Sequence, residues 1–275
     1  MSSLTITTIQ TELQWEDKAA NLRHFESKID ALQQPTELVI LPEMFSTGFS
    51  MQPERLAETM DGPTLRWMQE TAARKRIILT GSVIIEEKGH YFNRLIWMLP
   101  SGQYGYYDKR HRFAYAGEDE KYTAGSKRLV ASVKGWRVLL LVCYDLRFPV
   151  WSRQTPGEPR PGDPNLLSTD PPLEYDLLLY IANWPERRSH AWKTLLQARA
   201  IENQCFVAGV NRIGNDGHEI HHSGDSMIIG ALGETLYHAG DKDETHTHTL
   251  EKEELIKIRQ RFPFWRDADH FSIEP

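Results

Sequence analysis

The chain reads as a single α/β domain, and three stretches lead to that reading. Leu4 to Gln10 is a Thr- and Ile-rich strand, Trp15 to Leu32 an amphipathic helix, and Glu37 to Leu41 a second short apolar strand. Strand, helix and strand within about forty residues form a βαβ unit, the building block of sheets covered by helices. Further on, Val138 to Val142 is an unbroken run of five apolar residues, the composition of a strand buried on both faces. The pattern returns at Asp176 to Ala182 (strand), Ser189 to Asn203 (helix) and Cys205 to Asn211 (strand).

In order along the chain, Trp15, Ala19, Leu22, Phe25, Ile29 and Leu32 recur at spacings of three and four, which defines the buried stripe of the first helix; Pro35 ends it. The second strand runs into Leu41-Pro42-Glu43, and 45–55 (FSTGFSMQPER) reads as an irregular loop. A helix is expected over 63–75, with Asp61 as its N-cap and Pro63 in its first turn. Ile77 to Ile85 and Tyr91 to Leu99 read as strands joined by a polar turn at 86–90. Ser101-Gly102 turns the chain into 104–109 (YGYYDK), and 110–127 is a polar, Gly-punctuated loop, acidic at its centre.

Pro149 limits the strand that ends at Cys143, so the chain must turn close to that thiol. Residues 154–172 hold six prolines in nineteen positions, which excludes a helix or a central strand. They read as an exposed excursion within the domain, because a strand resumes at Asp176. Asn183-Trp184-Pro185 closes that strand. The helix over 189–203 presents Trp192, Leu195, Leu196 and Arg199 on or near one face. Ser226 to Leu232 is another strand, Thr245 to Leu250 a late edge strand, 251–262 a charged helix and 263–275 an aromatic-containing tail. The expected organisation is a main domain over 1–250 and a C-terminal helix and tail over 251–275.

Composition narrows the functional classes. A chain of 275 residues buries roughly 75% of its unfolded surface and needs no disulfide staple. The net charge of -6 gives no basic surface for nucleic acid or anionic lipid, and no 18-residue apolar window provides a membrane span. The N-terminus lacks the basic start and apolar run of a signal peptide. Two cysteines, Cys143 and Cys205, make no disulfide framework, so a reducing cytoplasm is the expected location.

Glu43, Lys109 and Cys143 each follow an apolar or aromatic run and precede a loop. A thiol nucleophile needs a base for its proton and a cation for the oxyanion it creates, and Glu with Lys supplies both without histidine. Each residue also has an ordinary structural reading: a core thiol, a strand-end carboxylate, a solvated lysine. His218, His221, His222, His246 and His248 lack any metal-ligand spacing and read as surface histidines, and Gly-x-Ser-x-Gly is absent. Cys205, within CFVAGV, reads as inert core.

Leu41-Pro42-Glu43, 107–111 (YDKRH) and 143–149 (CYDLRFP) resemble, in order and separation, the three motifs of the carbon–nitrogen hydrolase (nitrilase) superfamily. The resemblance runs from the first strand to about Leu250. It implies an α-β-β-α sandwich, commonly a homodimer, with no metal or other cofactor. It makes Cys143 the nucleophile, Glu43 the general base, Lys109 the oxyanion partner and the Tyr144 backbone N–H the second oxyanion donor. It also implies a second glutamate after the lysine; Glu118 fits best, with Glu120 the competing choice. Asn183-Trp184-Pro185 and the match around Cys143 look most like the omega-amidase branch, whose small-molecule substrates are 2-oxoglutaramate and 2-oxosuccinamate. The far carboxylate of such a substrate calls for a cation, and Arg147 is the candidate; its structural alternative is a salt bridge to a residue such as Asp145. Trp184 would wall the pocket or simply pack in the core. Nitrilase and N-carbamoyl amino acid amidohydrolase activities, and a catalytically silent protein of the same fold, are the alternative functions.

Overall fold

The computed structural model describes residues 2–155, 173–269 and 271–273. Ser3–Gln10 forms β1 and Lys18–Asp30 forms α1. The helix starts three residues later than the apolar spacing predicts, because Glu16 adopts a left-handed φ of 55° and Asp17 caps the helix by accepting the Ala20 amide at 3.0 Å. Leu38–Ile40 forms β2, Pro53–Leu56 the one-turn α2 and Pro63–Lys75 the helix α3. Ile78–Glu87, His90–Met98 and Tyr104–Asp108 are β3, β4 and β5. Glu118–Lys121 is the single turn α4, inside the segment expected to be a loop.

The second half begins with β6 (Leu129–Val133) and β7 (Trp136–Val142), followed by α5 (Pro149–Ser152), β8 (Leu177–Ile181), α6 (Ser189–Asn203) and β9 (Phe206–Val210). A small hairpin of β10 (Ile213–Asn215) and β11 (His221–Ser223) precedes β12 (Met227–Ile229) and β13 (Thr235–His238). The described chain closes with β14 (Glu244–Glu251), α7 (Lys252–Arg261) and a 3-10 turn at Phe264–Asp267.

Two six-stranded sheets result, one ordered β14-β1-β2-β3-β4-β5 and the other β13-β12-β9-β8-β7-β6. Period-two alternation decides what each strand residue touches. Leu38 and Ile40 of β2 face the other sheet and pack with Val138, Leu140 and Leu177, whereas Val39 faces outward with Phe25 and Ile29 of α1 and Leu65 and Met68 of α3. On the far side, Trp192, Leu196 and Ala200 of α6 cover the second sheet. The layers are therefore helix, sheet, sheet, helix. α7 returns to the same core: Leu255 is buried in it, and Lys252 and Arg259 both bind the buried Asp176, each at 3.0 Å.

Several local expectations differ from the structure. Asp61 does not cap α3. Gly62 occupies the cap position, and the buried Glu58 takes over, accepting the Thr64 amide at 2.8 Å and its hydroxyl at 2.7 Å; Asp61 instead accepts the Thr59 hydroxyl. β6, β10, β11 and β13 are strands that no apolar run announced, being short or lying at sheet edges. Apart from Gln154 and Thr155, the Pro-rich excursion 154–172 lies outside the described residues.

Candidate active site

The ends of β2 and β5 in one sheet and of β7 and β8 in the other converge on a single cavity. Cys143 follows β7 directly. The chain reverses there through a 3-10 turn, Cys143–Arg147, and Cys143 itself takes a left-handed φ of 46°. A non-glycine residue in that conformation costs on the order of 1 kcal/mol or more and persists only where the surroundings impose it. Asp145 imposes it. Its buried carboxylate accepts the Val142 amide at 3.0 Å, the Tyr107 hydroxyl at 2.8 Å, and both the backbone and ring nitrogens of His111 at 3.0 and 2.8 Å. The turn carrying Cys143 is thereby tied to the segment that follows β5.

Lys109 is the first residue after β5. Its amide donates to the Asn93 carbonyl and its carbonyl accepts the Gly125 amide, each at 3.0 Å. Gly125 comes so close to Asp108 that any Cβ there would collide with the Asp108 carbonyl. Thus fixed, Lys109 donates from Nζ to Glu43 Oε1 at 2.9 Å and to Glu118 Oε1 and Oε2 at 2.9 and 2.8 Å. Lys109 is 1% exposed, Glu43 and Glu118 0%, and Cys143 9%, so the thiol is the part of the cluster that reaches the cavity. Glu120 is exposed, which leaves Glu118 as the glutamate beside the lysine.

Two asparagines complete the arrangement. Asn93 donates to Glu43 Oε1 at 2.7 Å. The Asn183 backbone amide donates to Glu43 Oε2 at 2.8 Å and its side-chain amide to the Glu43 carbonyl at 2.6 Å, while its own carbonyl lies 4.0 Å from Cys143 Sγ. Glu43 and Cys143, from opposite sheets, are thus linked through Asn183. Neither asparagine was singled out for the site from sequence. The available signals were a polar residue inside the apolar strand around 91–99 and an Asn at the end of β8.

Burial drives the electrostatics. It opposes the charge on Lys109, but Glu118 and Glu43 outweigh it and hold the ammonium above the ordinary lysine range. Burial likewise raises the Glu118 carboxyl, with Lys109 pulling the other way. The Cys143 thiol stands well above its usual value, first through burial and then through Glu43; Lys109 offsets this only partly. At neutral pH the Cys143 thiol is therefore protonated.

The cavity, about 230 Å³, is lined by Cys143, Tyr144 and Asn183, with Phe49, Phe113 and Trp184 as apolar walls. Trp184 lines the cavity and also packs against Trp192, with ring centroids 5.5 Å apart, so the two alternatives read from sequence do not exclude each other. Arg147 also lines the cavity, its guanidinium 5.0 Å from the Trp184 ring. The salt bridge to Asp145 weighed as its alternative does not form, since Asp145 is engaged by Tyr107, His111 and Val142. Arg187 and Arg188 line the same cavity and were not singled out from sequence. His222 corrects an expectation too: read as a surface histidine, it is buried in the cavity wall, and burial lowers its pKa to about 4.

A model of the carbon–nitrogen hydrolase family matches residues 5–260. The chain is 41% identical over 274 residues to omega-amidase YafV of Escherichia coli strain K12, covering 99% of this chain and 100% of that protein. It is 28% identical over 268 residues to a 2-oxoglutaramate amidase of Bacillus subtilis strain 168, covering 96% of each. A crystal structure of a carbon–nitrogen hydrolase superfamily protein from Xanthomonas campestris, with an arsenic adduct in its active site, superposes over the full length of both chains with a TM-score of 0.92 at 42% identity.

Proposed function

The chain belongs to the carbon–nitrogen hydrolase family, and we propose that it is an omega-amidase, hydrolysing the terminal amide of 2-oxo acid monoamides such as 2-oxoglutaramate. The observation that carries the substrate reading is Arg147, which lines the cavity together with Cys143 and pairs with no carboxylate among the described residues. A planar guanidinium so placed suits a substrate that carries a carboxylate at one end and an amide at the other.

In this reading the Glu43 carboxylate takes the Cys143 proton as the thiolate attacks the amide carbonyl. The Lys109 ammonium and the Tyr144 backbone N–H hold the resulting oxyanion; one such donor contributes a factor of about 10²–10³ in rate. The carbon–nitrogen bond then breaks, Glu43 returns the proton to nitrogen, and ammonia leaves a thioester on Cys143. Glu43 next deprotonates a water molecule that attacks the thioester, the carbon–sulfur bond breaks, and the dicarboxylate departs from a reprotonated thiol. Glu118 keeps Lys109 charged and in place. Trp184 walls the substrate.

The test is ammonia release from 2-oxoglutaramate, a simple nitrile and an N-carbamoyl amino acid, with Cys143→Ala as control. The reading expects 2-oxoglutaramate to be preferred by orders of magnitude; preference for either other substrate would overturn it. We further propose a cytoplasmic homodimer: two free cysteines suit a reducing compartment, and light scattering at twice the chain mass would test the pairing.

A further inference from the structure

Arg188 and Arg147 reach the cavity from different segments, yet they are held in the same way. Arg147 lies on the Trp184 ring, and the Arg188 guanidinium lies 5.1 Å from the centre of the Phe113 ring. Both rings are cavity walls, and both are fixed from behind. The Phe113 amide donates to Glu118 Oε2 at 2.5 Å, and the Trp184 indole donates to the Arg188 carbonyl at 2.8 Å. The Arg188 amide closes its own turn on the Pro185 carbonyl at 3.0 Å. A guanidinium seated on an anchored aromatic ring loses little further freedom when it binds an anion.

No carboxylate among the described residues pairs with Arg147 or Arg188, while Arg187 adds a third cation to the lining. Asp216 is the one acidic residue of the described lining, and its Oδ1 is already bound by the amides of His218 and Ile220. Arg188 is half-buried. Burial first, then Arg187 and Arg147, depress its pKa, whereas Cys143 acts in the opposite sense; it thus lies within electrostatic reach of both the thiol and the other cations. The described lining thus sets three guanidiniums, those of Arg147, Arg187 and Arg188, against the single carboxylate of Asp216.

We propose that Arg188 is a second substrate-binding cation which, with Arg147, selects a 2-oxo carboxylate and rejects its 2-ammonio counterpart. This rests on the omega-amidase reading of the site. The substrate carbon next to the carboxylate carries a carbonyl oxygen in a 2-oxo acid and an ammonium in an amino acid. Two guanidiniums bracketing that end donate to the carboxylate and the oxo oxygen of the first and repel the ammonium of the second. Because 2-oxoglutaramate and glutamine share the same terminal amide, the reacting end cannot tell them apart.

The experiment measures kcat and KM for 2-oxoglutaramate and for glutamine with wild type, Arg188→Gln and Arg188→Lys. In Arg188→Gln, KM for 2-oxoglutaramate should rise about 10- to 100-fold, the loss of one charge-assisted hydrogen-bonding group. Its kcat and Tm should change little, and its preference over glutamine should fall at least about tenfold. Arg188→Lys, which keeps the charge, should retain most of the discrimination against glutamine. An active wild type whose Arg188→Gln variant keeps both KM and preference would overturn the proposal alone. A wild type inactive on 2-oxoglutaramate would overturn the omega-amidase reading, and this proposal with it.

Discussion

Lys109 Nζ lies 2.9 Å from Glu43 Oε1, and neither side chain is more than 1% exposed. With Glu118 on the other side, one ammonium bonds two buried glutamates. Removing the cation leaves both carboxylates buried together, which is far more costly than losing a surface ion pair. Lys109→Met should lower stability by about 3–5 kcal/mol in urea unfolding. Lys109→Met combined with Glu118→Gln should recover part of that loss. A single variant as stable as wild type would show that the cluster is not electrostatically coupled.

The raised pKa of Cys143 has a direct readout. Burial, followed by Glu43, keeps the thiol protonated to higher pH, so the thiolate fraction continues to grow where a free cysteine, with a pKa of about 8.5, would level off. Alkylation of the free enzyme by iodoacetamide should keep accelerating through pH 9, and the label should map to Cys143 and not to the fully buried Cys205. A rate plateau below pH 8 would contradict the protonated resting state.

Asp145 holds the turn that carries Cys143 and is itself fully buried. Asp145→Asn keeps the shape but turns an NH₂ group, itself a donor, toward donors that in the wild type meet a carboxylate oxygen, at about 1–3 kcal/mol for each buried group left unpaired. The variant should lose stability and at least about tenfold in kcat, while Tyr107→Phe, which leaves the Val142 and His111 donors to Asp145 in place but strips the Trp151 indole and the Arg110 amide of their acceptor, should be milder on kcat. Equal kcat for Asp145→Asn and wild type would separate the turn geometry from catalysis.

Arg147 should reveal its role through the geometry of its cation. Arg147→Lys keeps the charge but loses two-point binding and the flat seat on Trp184. KM for 2-oxoglutaramate should rise about tenfold in Arg147→Lys and further in Arg147→Gln. If Arg147→Lys left both KM and kcat unchanged, the carboxylate role would be wrong.

Much of this architecture can be read along the chain because its signals are local. A Thr- and Ile-rich stretch marks β1, short and long apolar runs mark β2 and β7, and a proline with its preceding turn marks α3. Glu43, Lys109 and Cys143 stand where strands give way to loops. What could not be read is non-local. Glu58 caps α3 from six residues away, displacing the nearer Asp61. Asn93 meets Glu43 only once β2, β3 and β4 are paired in one sheet, and Asn183 only when the two sheets pack, since it bonds Glu43 from 140 residues away. Arg188 looks like a solvated charge beside Arg187 until Phe113 is folded beneath it. His222 lies next to the exposed His221, and only strand alternation in β11 turns one inward and the other out.

The central claim, a thioester formed on Cys143 from a 2-oxo acid monoamide, is most directly tested by acid-quenching the enzyme during turnover of 2-oxoglutaramate and measuring intact and peptide masses. A population carrying the 2-oxoglutaryl group on the Cys143 peptide is expected, appearing with ammonia release, absent from Cys143→Ala and chased by hydroxylamine. Ammonia release at the wild-type rate by Cys143→Ala, or an acyl group mapped to any other residue, would contradict it.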